Sequence, residues 1–96
     1  MIKVVKKDNI ITISGHANSA EYGKDIVCAS VSSIIYTTIN ALKKIKEESI
    51  EVEDNSSMTI KILAEDEVVS WLIENMMELL HSLEEDYPKN LNVKES

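Results

Sequence analysis

The chemistry available to this chain starts from one thiol. Cys28 is the only cysteine, so no intramolecular disulfide can form and cysteine usage does not mark an oxidising compartment. Twelve positions upstream stands His16, one of two histidines. A thiol and an imidazole brought together have the parts for nucleophilic catalysis: the ring takes the thiol proton and later returns it to the leaving group. Each residue also has a plain alternative. Cys28 fits a small core hydrophobe, the usual environment of a free cysteine, and His16 fits the end of a strand. The second histidine, His81, falls away from the apolar stripe of its segment and reads as a solvated surface residue.

The elements around these residues can be read from periodicity. Residues 2–7 and 10–14 are β-rich runs around the turn signal Asp8-Asn9, which predicts a hairpin. His16 then follows Gly15 at the end of the second run. A loop of small and polar residues extends to Lys24, with a glycine near each end. From Asp25 the period becomes helical, through Val27, Val31, Ile34, Thr38, Leu42 and Ile45, ending near Glu47. Asp25 is placed as the N-cap, and Lys43, Lys44 and Lys46 complement the macrodipole at the other end.

This puts Cys28 at the edge of the stripe and in the first helical turn. Unpaired N–H groups there favour a thiolate and are candidate oxyanion donors. A strand end and a helix start joined by one loop can lie side by side, which is the placement a Cys28–His16 pair needs.

Downstream, residues 50–53 and 58–63 read as strands around the turn Asp54-Asn55-Ser56-Ser57. Asp66 opens a second helix through Val69, Leu72, Ile73, Met76, Leu80 and Leu83, closed by Pro88, and residues 91–93 add a short last strand. The predicted fold class is α+β: a two-layer sandwich with a mostly antiparallel sheet of four to five strands and two helices on one face. Residues 1–96 make one domain; a chain this short buries only about 65% of its unfolded surface, so its core is thin. The run Val68, Val69, Trp71, Leu72, Ile73, Met76, Met77 is wider than one helical stripe needs, and the surplus suits a homodimer.

Composition excludes several classes. Lys plus Arg is 10 against 17 Asp plus Glu, a formal charge of −7, and aromatics are 4%. That argues against a nucleic-acid partner, which usually needs a basic face or a stacking platform. No apolar run approaches the ~20 residues of a membrane helix, so no membrane role is expected. The N-terminal residues carry Lys3, Lys6 and Lys7 where a signal peptide would be apolar, which predicts a cytoplasmic protein. One cysteine and two histidines have no zinc spacing, and Gly15 and Gly23 have no phosphate-loop spacing, so no metal and no cofactor are expected.

Gly15-His16-Ala17, Gly23 and the stretch Asp25 to Ser32, "DIVCASVS", carry a pattern. It is His-Ala, a short loop ending in Gly, one residue, Asp, two residues, Cys-Ala, and Ser four residues after the Cys. It resembles the ribosomal-processing cysteine protease family, Prp. The resemblance implies a homodimeric endopeptidase that removes a short N-terminal extension from the precursor of a large-subunit ribosomal protein, number twenty-seven. It makes Cys28 the nucleophile and His16 the general base. Asp25 becomes a supporting residue that orients the site, a role compatible with N-capping. Gly15, Ala17 and Gly23 belong to the substrate loop and its hinges, and Ser32 supports the site one turn beyond the thiol. The other reading is a non-catalytic acidic module for a basic ribosomal partner, with Cys28 buried. A thiol redox sensor is a third, without a resolving cysteine in the chain.

Overall fold

A computed structural model describes residues 1–15 and 22–96, with the side chains of residues 22–25 outside that description. The elements are β1 (Ile2–Lys7), β2 (Ile10–Ser14), α1 (Tyr22–Ile45), a 3-10 turn (Glu47–Ser49), β3 (Ile50–Asp54), β4 (Met58–Ile62), α2 (Glu67–Asp86) and β5 (Leu91–Glu95). The strands form one five-stranded sheet in the order β3-β4-β2-β1-β5. Its pairs are antiparallel except β1 with β5, which run parallel. The α+β class with a mostly antiparallel sheet is therefore the observed one.

Alternation explains the sheet. Ile2, Val4, Ile11, Ile50, Ile60, Leu91 and Val93 are buried, while Lys3, Val5 and Glu51 point to water. Register aligns the apolar positions into rows across strands: Met58 opposes Ile13, Ile13 opposes Val4, and Val4 opposes Val93. A one-residue slip would turn every one of these side chains to the other face, so the pattern fixes the pairing. Asp8 takes the left-handed conformation (φ 54°) that the tight β1–β2 turn needs and that aspartate tolerates.

On α1 the stripe facing the sheet is Val27, Val31, Ile35, Ile39 and Leu42, with Thr38 buried among them and its hydroxyl donating to the Ile34 carbonyl. Ile45, expected on that stripe, is 53% exposed, because the helix ends there instead of near Glu47 and the chain turns into the 3-10 segment. The start also differs. The helix begins at Tyr22, so Asp25 lies within its first turn and is not the residue before it. Gly23 is the second helical residue; the first turn makes few ladder hydrogen bonds, so a glycine is tolerated there.

Helix α2 begins as expected. The Asp66 side chain accepts from the Val68 N–H at 2.8 Å, and the helix ends before Tyr87, whose N–H donates to Leu83. Val69, Ile73, Met76, Met77 and Leu80 face the core. One expectation about length is corrected. Residues Ile26–Ile45 form a helix long and apolar enough, by length and composition, to cross a membrane. Here its apolar stripe packs with the buried cluster that also holds Val69, Ile73 and Leu80 of α2.

Candidate active site

Cys28 is the seventh residue of α1, in its second turn, because the helix starts three residues before Asp25. The macrodipole effect fades beyond the first turn, and the free N–H groups of α1 belong to residues 22–25. The thiol therefore lies beside the helix start, about one turn from its amides. Its burial matches its place at the edge of the stripe: Cys28 is half-buried and packs against the core.

The side chain opens onto a cavity of about 150 Å³ between α1 and one end of the sheet. Ile2, Ile13, Val31, Ile35 and Met58 supply apolar walls, and Gly15 and Ser32 line it too. Ser32 faces the same side as Cys28, as the i, i+4 spacing requires. Gly15 shows why glycine stands there. Its φ of +89° is left-handed, and a Cβ would run into the carbonyl oxygen of Met1. The backbone of the first two residues thus packs directly on the residue preceding His16. His16 and Ala17 lie outside the described residues, as does the side chain of Asp25.

Sequence reasoning missed the far wall of this cavity, which the β3–β4 turn forms with Tyr36. The Tyr36 hydroxyl donates to Asp54 Oδ2 at 3.3 Å. Its pKa lies above the ordinary 10.0. Loss of water contributes most, followed by the charge of Asp54 and the hydrogen bond to it. The available signal was spacing: Cys28, Ser32 and Tyr36 succeed one another at intervals of four on one helix.

The opposite end of the sheet holds a larger cavity of about 620 Å³, lined by Lys6, Glu65, Asp66, Glu67, Glu74 and Glu95 among others. Register places it away from the thiol, since Lys7 and Ile10 pair at that end and Lys3 and Ser14 at the other. His81 belongs to this distal end and is less free than a solvated residue. Its Nε2 is 2.7 Å from Glu95 Oε2 and its Nδ1 is 3.6 Å from Glu84 Oε1, which ties α2 to β5. Glu84 also accepts from the Val93 N–H at 2.8 Å. Among the described residues, no three or more His, Cys, Asp or Glu are grouped to hold a metal ion.

The chain is similar to known proteins. A family model described as cysteine protease Prp matches residues 1–92. The ribosomal processing cysteine protease Prp of Bacillus subtilis (strain 168) is 30% identical over 89 residues, covering 84% of this chain and 80% of that protein. The protein of the same name from Mycoplasma genitalium is 30% identical over 95 residues, 99% of this chain and 96% of that one. The crystal structure of the essential ribosomal processing protease Prp from S. aureus, with a covalently linked product peptide, superposes with a TM-score of 0.87 at 24% identity over the whole of both chains. That last likeness speaks for the fold.

Fold and relatives together define the class: a cysteine protease, and so a hydrolase. Within that class the chain belongs to the Prp family.

Proposed function

We propose that this protease removes the N-terminal extension of the precursor of large-subunit ribosomal protein number twenty-seven, with Cys28 as nucleophile and His16 as general base. The observation that carries the site is the half-buried thiol of Cys28 opening on a cavity lined by Gly15, the residue next to His16. The substrate class follows from the relatives, which are named ribosomal processing proteases.

In the first step His16 accepts the thiol proton as Cys28 Sγ attacks the scissile carbonyl carbon. The proton passes to the leaving amine as the C–N bond breaks, leaving a thioester. Water then attacks the thioester, with His16 as base, and releases the extension peptide as a carboxylic acid together with the thiol, the shortened protein having left as the amine. The N–H groups of the first turn of α1, about one turn from the thiol, are the donors assigned to the developing oxyanion in this reading. Asp25 orients this site as a supporting residue, Ser32 supports the cavity wall, Gly15 and Gly23 are the hinges of the substrate loop, and Ala17 belongs to that loop. The enzyme needs no cofactor or metal for these steps and works in the cytoplasm, apart from nucleic acid and membrane.

The test is cleavage of a precursor peptide spanning the extension. Cys28→Ala should lower turnover by several orders of magnitude with thermal unfolding unchanged. Appreciable cleavage by that variant removes Cys28 from the nucleophile role.

A homodimer is part of this reading. Val68 (38%), Trp71 (59%) and Leu79 (46%) remain exposed on α2 after its other apolar residues turn inward. They lie along one side of the helix, and a two-fold contact would cover them. Sedimentation should give twice the monomer mass at micromolar concentration, and Trp71→Glu should return the monomer. A wild-type monomer throughout that range removes the dimer from the reading.

A further inference from the structure

We propose that Tyr36 is a positioning residue for peptide cleavage, its hydroxyl on Asp54 holding the β3–β4 turn as the far wall of the cleft beside Cys28. This rests on the protease reading of that cleft.

Asp54 occupies an unusual place. It ends the edge strand β3 and opposes Met58, which itself opposes the core-facing Ile13. Register therefore gives Asp54 the helix side of the sheet, where its cross-strand neighbours are apolar. The Asp54 carboxylate is itself exposed, and Tyr36 reaches it across the gap from α1. Among the described residues this is the side-chain hydrogen bond that joins α1 to the β3–β4 turn. The turn itself has an internal backbone bond, from the Asn55 N–H to the Ser57 carbonyl at 3.0 Å. The Tyr36 contact thus links the turn to the helix across the cleft.

The dimensions suit a peptide. Cys28 and Tyr36 are eight residues apart on α1, about 12 Å at the helical rise. An extended peptide advances about 3.3 Å per residue, so the cleft spans about three or four residues on one side of the thiol. Tyr36 is 51% exposed, and an exposed bond of this kind adds little to the stability of the fold. What it fixes is the shape of the cleft. Loss of the bond should weaken substrate binding and leave the chemical step at Cys28 as it was.

Four proteins decide this: wild type, Tyr36→Phe, Asp54→Ala and Asp54→Asn. Each is measured for KM and kcat on the precursor peptide, for Cys28 alkylation by iodoacetamide, and for thermal unfolding. Tyr36→Phe and Asp54→Ala should each raise KM about three- to tenfold, the scale of one lost hydrogen bond, with kcat within about twofold. Asp54→Asn keeps an acceptor and should stay close to wild type. Iodoacetamide, too small to use the far wall, should alkylate all four at the same rate. A fifth protein, combining Tyr36→Phe with Asp54→Ala, should be no worse than either single variant, since both remove one contact. Unchanged KM in Tyr36→Phe and Asp54→Ala overturns the assignment, as does a loss in Asp54→Asn equal to that in Asp54→Ala. So does a fall in kcat and alkylation rate together. Wild type without turnover overturns the protease reading itself, whereas turnover by wild type with Tyr36→Phe unaffected overturns only the role of Tyr36.

Discussion

The two ends of the sheet use the same five strands and leave open very different spaces. At one end a cavity of about 150 Å³ has apolar walls, a half-buried thiol and a left-handed glycine. At the other a space of about 620 Å³ carries Glu65, Asp66, Glu67, Glu74 and Glu95 beside apolar residues such as Ile62, Ile73 and Met77, with His81 engaged next to it by Glu84 and Glu95. Size alone would choose the end without the thiol. A peptide substrate needs apolar walls to draw a side chain out of water and a nucleophile within reach of its carbonyl. The large cavity lacks a thiol and a free imidazole among its lining residues. The difference comes from which residues meet where strands end. Ile2, Ser14, Asp54 and Met58 end or begin their strands beside α1, while Ile62 and Glu95 do so beside the start of α2.

Substitutions at the two ends make this contrast measurable. The largest effect belongs to His16→Ala, which should lower kcat about 10²- to 10⁴-fold, the usual contribution of a general base. Its alkylation by iodoacetamide should slow as well, and an unchanged rate would argue for another base. Gly15→Ala comes next. It places a Cβ against the Met1 carbonyl and forces alanine into a left-handed φ, so it should destabilise the fold by more than about 1 kcal/mol in a denaturant titration and lower turnover. A Gly15→Ala chain as stable as wild type would mean that the first residues do not pack on this site. His81→Ala is the smallest. It removes half-exposed contacts with Glu84 and Glu95 at the far end, so turnover should stay within about twofold and stability within about 1 kcal/mol. A tenfold loss of activity there would couple the ends and break the contrast.

Much of this was legible in the sequence, for reasons that differ by region. The strands and α2 could be read because alternation and the Asp66 cap are local signals. The Cys28–Ser32 face was legible from helical spacing, and Gly15 from its place at a strand end. The start of α1 was not. A cap at Asp25 and a first turn at Tyr22 are both compatible with its residues, and local preference does not choose between them. Strand order escaped because it depends on which distant segments meet; β4 inserts between β2 and β3 although α1 joins those two in sequence. The Tyr36–Asp54 bond spans eighteen positions and two elements, so nothing within either element announces it. The clamp on His81 escaped for the same reason, since Glu95 lies fourteen residues away on the last strand.

The parallel pairing of β1 with β5 bears on time. Ile2 donates its N–H to Asn90 and opposes Leu91, and it is also a wall of the thiol cavity. β1 therefore waits for β5, about ninety residues later in the chain, before its row is complete. Contacts between such distant segments are slow to form, because a long loop must close before they give any return. Maturation of the cleft should accordingly be a late event in folding. A nascent chain arrested before Leu91 should bind little peptide, although its thiol has long since been synthesised.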